Sequence, residues 1–329
     1  MISIVIVSHN CARYVGETIE SVACQSRRDK IVDTILVDSG STDDTVAQAK
    51  RASTAFGVAL KIVQTSNSGP SRARNVGIRE SHGRWIQFLD GDDWIGSEKL
   101  ATQLPYLDNA SERSAVVYSQ WARAERSGST GTRVHEAEKP LIDNQDPACS
   151  LLRSSNFLAV GSQLFSRSWL LRVHGFNEQL WLIEDVDLML RLALLGGTFA
   201  HAESTKPIFF YRQRSGSLSR RSEREFVEAC MRNARMVEAA WGEDLSEERR
   251  RVLVEVYRNC AIHFALTDRR RFRQLAARIE DLVPGYLPTE PPRVRRVAAL
   301  IGYKHAETAG AVWRLLLGLW CQRLGSPRE

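Results

Sequence analysis

The first hundred residues switch repeatedly between two hydrophobic periods, and this constrains the fold more than any other feature. Residues 2–7 are a strand-like apolar run broken only by Ser3. Residues 14–25 place Val15, Ile19 and Val22 on one helical face. Residues 31–37 read as a second strand. Residues 45–56 read as a helix that Ser41, Thr42 or Asp43 can cap. A strand over 58–63, a helix over 72–81 and a strand over 85–89 follow. Strand-helix-strand alternation at this interval predicts an α/β fold, with a mostly parallel sheet and right-handed crossovers.

The last of these strands ends in Asp90-Gly91-Asp92-Asp93. Open α/β sheets bind ligands at the carboxyl ends of their strands, so the acids stand where a ligand would. Like charges this close raise one another's cost of ionising. A hard divalent cation, Mg²⁺ or Mn²⁺, would relieve that cost, and such ions complete their shell with substrate phosphates. The alternative is a solvated acidic turn, since Asp-Gly is a common turn pair.

Two earlier strand-helix junctions have similar chemistry. Asp38-Ser39-Gly40-Ser41-Thr42-Asp43 leaves backbone N–H groups free for a polar or anionic ligand, or is simply a capped turn. Asn67-Ser68-Gly69-Pro70-Ser71-Arg72-Ala73-Arg74-Asn75 opens a helix on which Arg72 and Arg74 could reach a diphosphate, or else lie exposed.

Beyond residue 110 the pattern loosens. Strands are expected at 116–118 and 163–165, loops or edge strands over 123–146, and a short helix over 168–174 ended by Gly175. Residues 184–195 are a strongly periodic helix closed by Gly196-Gly197, with Leu188, Leu192 and Leu195 facing the core and Asp187 paired to Arg191. Glu184 and Asp185 open it, where the helix dipole favours carboxylates; one can serve as a general base, or both can merely cap. Trp181 lies just ahead of them and could pack in the core. Residues 198–211 read as strand, loop and strand.

From residue 220 the chain is mainly helical, broken over 284–292. This third holds 21 basic and 15 acidic residues, an excess equal to the whole chain's net charge of +6. Basic runs at Arg249-Arg250-Arg251, Arg269-Arg270-Arg271-Phe272-Arg273 and Arg293-Val294-Arg295-Arg296 precede an apolar segment with Trp313 and Trp320. They suit a solvated basic face or docking on an anionic membrane surface. Nucleic-acid binding is not expected, because the balance is mild and no recognition motif occurs. Six cysteines without a Cys-x-x-Cys pair argue against zinc and fit a reducing cytosol. Residues 1–7 read as a strand rather than a signal peptide, and no apolar stretch is long enough to span a bilayer.

Together these segments resemble the inverting family 2 glycosyltransferases, which have the GT-A nucleotide-sugar-binding fold. The likeness is carried in order by Val5-Ile6-Val7-Ser8-His9-Asn10, Glu17-Thr18-Ile19-Glu20-Ser21-Val22 with Gln25, Val37-Asp38-Ser39-Gly40-Ser41-Thr42-Asp43, Ala73-Arg74-Asn75-Val76-Gly77-Ile78, Phe88-Leu89-Asp90-Gly91-Asp92-Asp93, Gly175-Phe176-Asn177-Glu178 and Glu184-Asp185-Val186-Asp187-Leu188. It implies a catalytic domain over 1–219, with about 1–110 binding the nucleotide sugar and 111–219 forming the acceptor side. The helical region over 220–329 is not covered.

By that resemblance Ser8, His9, Asp38 and Ser39 line the base and ribose pocket, and Arg74 lies near the diphosphate. Asp92 is the main ligand of Mg²⁺ or Mn²⁺, with Asp90 toward ribose and metal. Asp185 is the catalytic base, supported by Glu184, and Trp181 is a candidate acceptor platform. The donor is a UDP-, dTDP- or GDP-sugar, and the acceptor a glycan or lipid-linked glycan of a cell-surface polysaccharide or lipopolysaccharide. The expected location is the cytoplasm, or the inner face of the cell membrane if the basic helices dock there.

Two positions depart from the family pattern. Ser39 stands where many members carry a second, uracil-reading acid. Arg214 stands where many carry a histidine; it can bind diphosphate but not a metal, which implies weaker metal dependence or a metal held by the donor and Asp92 alone. That change also suggests a non-catalytic scaffold, against which the intact Glu184-Asp185 pair argues. A sugar nucleotidyltransferase would want a Gly-rich basic loop after the first strand, which Ser8-His9-Asn10-Cys11-Ala12-Arg13 is not.

Overall fold

The structure, a computed structural model, describes residues 1–67, 69–126, 132–153, 156–213, 222–288, 292–308 and 310. The chain divides into two compact units, Met1–Arg221 and Ser222–Glu329.

In the first unit the alternation yields β1 (Ile2–Ser8), α1 (Val15–Ala23), β2 (Ile31–Ser39), α2 (Thr45–Ala55), β3 (Leu60–Thr65), α3 (Pro70–Glu80) and β4 (Trp85–Asp90). Then come β5 (Trp94–Ile95), α4 (Lys99–Asp108), β6 (Ser114–Ser119), β7 (Trp121–Arg126), β8 (Thr132–Glu138), α5 (Pro147–Leu152), β9 (Gln163–Ser166), α6 (Arg167–Arg172), α7 (Glu184–Leu194), β10 (Thr198–Ala202) and β11 (Phe209–Arg212). Seven strands form one sheet in the order β10-β6-β9-β4-β1-β2-β3. Its pairs are parallel except where β9 runs against β4 and β6. Every residue of β1 is buried, which is why it reads as a continuous apolar run rather than an alternating one. A second, four-stranded sheet has the order β5-β11-β7-β8.

Several expectations shift. The third strand starts at Leu60 because Val58 N–H bonds back to Ser53 C=O at 2.9 Å, closing α2 around the left-handed Gly57. The N-cap of α2 is Asp44, while the Asp43 carboxylate accepts from the Thr45 N–H at 3.0 Å. Leu195 is 59% exposed, unlike the buried Leu188 and Leu192; it caps α7 and has left the buried face. The strands within 198–211 join different sheets. The helices α4 and α5 were not expected from the sequence.

The second unit contains α8 (Glu223–Trp241), α9 (Glu247–Thr267), α10 (Arg269–Leu282) and α11 (Pro292–Ile301). Ser222, Ser246 and Asp268 cap the first three with their side chains. The Arg278 Nη2 donates to Glu238 at 2.6 Å, and Tyr257 O–H donates to the same carboxylate. The basic runs are partly paired with acids, Arg249 with Asp244 at 2.8 Å and Arg251 with Glu247. The apolar segment with Trp313 and Trp320 lies outside the described residues. Among the described residues, no helix is long and apolar enough to cross a membrane.

Candidate active site

Parallel register brings the strand ends together. Val7 lies opposite Val37 and Asp90, and Ser8 opposite Asp38. Asp38 is wholly buried; it accepts from Ser8 Oγ at 3.1 Å and from Ser41 N–H at 3.1 Å, so it braces the turn from beneath. The exposed His9 hydrogen-bonds through Nδ1 to the Ser39 carbonyl at 2.8 Å. A carbonyl only accepts, so Nδ1 carries a proton here. Ser39 Oγ is buried with no hydrogen-bond partner among the described residues.

The three acids of the turn after β4 diverge. Asp93 points inward, 2% exposed, and accepts the Arg212 N–H at 2.8 Å. Burial, and then Asp92 and Asp90, push its carboxyl well above the usual range. Arg212 Nε donates to the Asp92 carbonyl at 2.6 Å, and its Nη2 reaches Glu17 at 2.6 Å. The same guanidinium lies 4.7 Å from the ring centres of Tyr14 and Trp94. Arg212 therefore ties the turn to α1 and β11. Asp90 and Asp92 keep part of their surface open.

Arg74 links this turn to α7. Its Nη2 donates to Asp90 at 2.8 Å and its Nη1 to Glu184 at 2.5 Å. Burial opposes its charge, but Asp90 and Glu184 outweigh that and hold it more firmly protonated than usual. Beside it stands Asp185, partly exposed, with Oδ1 accepting its neighbour Val186 N–H at 2.8 Å. Desolvation first, and then the Glu184 charge, push Asp185 up to about 7 against the pull of Arg74. A carboxylate there is half ionised near neutrality, where a general base works best.

Trp181 is 46% exposed and is not a core side chain. Its indole covers Gly69, whose φ of +86° suits glycine, and a Cβ there would stand 3.3 Å from the ring.

The structure thus brings Ser8, His9, Asp38 and Ser39 to one strand edge, and Asp90, Arg74, Glu184 and Asp185 into one charged group. Arg214 lies outside the described residues. Among those residues, no three His, Cys, Asp or Glu side chains cluster as a ready metal cage. Asp90 and Asp92 nevertheless fit an ion of the Mg²⁺ class, which needs one or two carboxylates and takes its other ligands from phosphate and water. Burial is the main reason the Asp93 carboxyl is raised, and Asp92 and Asp90 add to it; such an ion would ease that second, electrostatic part. Arg212, Asp93 and Glu17 were not expected here as organising residues. Glu17 and Asp93 lie within segments that carry the family resemblance, and Arg212 lies two residues before Arg214, but nothing in those segments marks these roles.

Comparison with known proteins gives this architecture a context. The family model described as "Glycosyl transferase family 2" matches residues 3–173, which takes in Asp90 and Asp92 and stops short of Glu184. The poly(ribitol-phosphate) beta-N-acetylglucosaminyltransferase TarS of Staphylococcus aureus is 24% identical over 65% of this chain and 36% of its own length. The succinoglycan biosynthesis protein ExoO of Rhizobium meliloti is 28% identical over 70% of this chain and 66% of its own. The minor teichoic acid biosynthesis protein GgaA of Bacillus subtilis is 26% identical over 65% and 47%. The chain therefore spans between about a third and two thirds of these relatives. Among solved structures, S. aureus TarS 1-349 in complex with UDP-GlcNAc superposes with a TM-score of 0.65 at 19% identity, covering 93% of this chain and 90% of that one. The mannosyltransferase PcManGT of Pyrobaculum calidifontis, with GDP-Man and Mn²⁺, gives 0.51 at 18% identity over 95% and 87%. These likenesses show the fold: GT-A, a mostly parallel sheet flanked by helices, followed by C-terminal helices.

Proposed function

This chain belongs to glycosyl transferase family 2, and from that premise we propose that it moves a sugar from a nucleotide-sugar donor to a glycan or lipid-linked glycan, inverting the anomeric centre. The observation that carries this reading is Arg74. It joins Asp90 of the donor-side turn to Glu184 at the mouth of α7, two acids far apart in sequence.

Asp185 takes the proton from an acceptor hydroxyl. The freed oxygen forms a bond to the anomeric carbon as the bond from that carbon to the diphosphate oxygen breaks, and the nucleoside diphosphate leaves from the opposite face. One base and one displacement give inversion. Its position near 7 lets Asp185 accept that proton at neutral pH. Glu184, buried against Arg74, holds the helix mouth beside the turn. A divalent cation, Mg²⁺ or Mn²⁺, held by Asp92 and Asp90 would supply charge neutralisation for the leaving group. Ser8, His9 and Ser39 receive the nucleoside, with Asp38 bracing them. Trp181 offers its open face to an acceptor sugar. The basic C-terminal helices are proposed to bring the protein to the inner face of the membrane when the acceptor is lipid-linked.

The test is release of nucleoside diphosphate from UDP-GlcNAc, dTDP-glucose and GDP-mannose, with Mn²⁺, Mg²⁺ or chelator. Turnover of at least one donor, raised by metal, is the expected result. No release from any donor, with or without acceptor glycans, defeats the reading.

A further inference from the structure

The chain reaches Asp185 through a segment fastened to α3. Asn75 Oδ1 accepts the Phe176 N–H at 2.8 Å, and its Nδ2 donates to the Phe176 carbonyl at 2.9 Å and to Glu178 at 3.0 Å. Ser71 Oγ donates to the Leu180 carbonyl at 2.8 Å. Trp181 lies over Gly69, and Arg74 takes Glu184. These contacts fix both sides of one residue, Ile183.

Ile183 has φ 50° and ψ 28°, in the left-handed region, and caps α7 without a side-chain hydrogen bond. Among the described residues, the other non-glycines with positive φ are Asn10 and His174, types that visit this region readily. A β-branched residue does not; its Cβ crowds the following carbonyl. Ile183 is partly buried, and asparagine or glycine would take the same turn with less strain. Yet the turn has a direct consequence: the Ile183 carbonyl accepts the Asp187 N–H at 3.1 Å and starts α7. The helix mouth then presents Glu184 to Arg74, with Asp185 next in the chain.

Given Asp185 as the base, we propose that Ile183 is a positioning residue whose enforced left-handed turn sets the direction in which α7 presents that base. Strain tends to persist where the surrounding structure over-determines it, and the contacts to α3 supply that restraint.

The test uses the full chain, with whichever of UDP-GlcNAc, dTDP-glucose and GDP-mannose the wild type turns over fastest. Ile183→Asn keeps the left-handed turn without the β-branch. It is expected to raise Tm by roughly 2–6 °C and to keep kcat within about twofold. Ile183→Pro forces φ to about −65°. It is expected to lower kcat about 100-fold, the scale of an ångström-size misplacement. Donor Kd stays within about threefold, because the donor-side residues Ser8, His9, Ser39, Asp90 and Asp92 sit at or just beyond the ends of β1, β2 and β4. Should the proline variant not fold, Ile183→Gly, which takes the left-handed turn without strain under the same contacts, is expected to keep kcat within about twofold with Tm unchanged or raised. A merely structural role would instead lower Tm and kcat together. With turnover lost in Asp185→Asn, wild-type turnover in the folded Pro variant, or a loss of about tenfold or more in the folded Gly variant, overturns the proposal alone. Turnover unaffected in Asp185→Asn overturns the base reading and the proposal with it.

Discussion

Replacing Arg74 with methionine removes the guanidinium while keeping most of its apolar volume. In the wild type its side chain is 4% exposed, facing Glu184 at 11% and Asp90 at 30%. Without Arg74, Glu184 is left as a buried carboxylate with no counter-charge, which costs about 3–5 kcal/mol. The Asp90 limb adds less than about 1 kcal/mol, because nearly a third of that side chain faces water. For a unit the size of Met1–Arg221, each kcal/mol moves Tm by roughly 2–4 °C, so a fall of about 10 °C is expected. The loss has a second readout. Arg74 pulls the Asp185 carboxyl down toward about 7; without it the carboxylate form is less favoured and the group rises further. The acid limb of the kcat/KM profile then moves to higher pH. Thermal denaturation at pH 7.5 and a pH profile between 5 and 9 measure both effects. Adding Glu184→Gln to the variant is expected to restore more than half of the lost Tm, because the unpaired charge is then gone. A variant melting within 2 °C of wild type, or an acid limb that stays put, would refute the account of Arg74.

Other consequences are independent of that pair. Lys99 is fully buried, donating to Gln87 and Gln103 at 2.5 and 2.6 Å, and burial lowers its pKa well below the usual range. The unfolded state then binds more protons, so stability rises with pH from neutrality toward 10; urea midpoints should show the rise in wild type and its absence in Lys99→Met. Gly77→Ala, ordinarily helpful in a helix, should destabilise by about 1–3 kcal/mol, because the added Cβ would stand 2.2 Å from Val5 Cγ1. Chemical denaturation tests that sign. Trp181→Ala should raise the acceptor KM about tenfold, leave the donor KM unchanged and shift Tm little, since the indole is 46% exposed. A raised donor KM would move Trp181 to the donor side.

The parts of this protein that depend on near neighbours were legible in its residues. The runs ending at Val7, Val37 and Leu89 had to be strands, and parallel register then required Ser8, Asp38 and Asp90 to share an edge. The Asp187–Arg191 pair followed from helical spacing alone and is present at 2.7 Å. Long-range geometry was not legible. Nothing local distinguishes Asp93, turned inward to the Arg212 N–H, from Asp92 beside it. Arg74 was read as a diphosphate contact, and nothing in its helix indicates that both its arms meet carboxylates. The helix α4 escaped because its buried face carries Lys99 and Gln103, polar residues one turn apart, and because Pro105 lies within it. The left-handed Ile183 has no sequence signal, since glycine or asparagine is the type that marks such a turn.

The central claim is that Asp185 removes the acceptor's proton while other residues hold the donor. The most direct measurement compares wild type with Asp185→Asn for transfer rate and for donor Kd, on the same nucleotide sugar and metal. A general base contributes about 10²–10⁴-fold, so a loss of kcat in that range with Kd within about threefold is the result this account requires. Retained transfer in the folded variant would contradict it, and so would a loss that merely follows weakened donor binding.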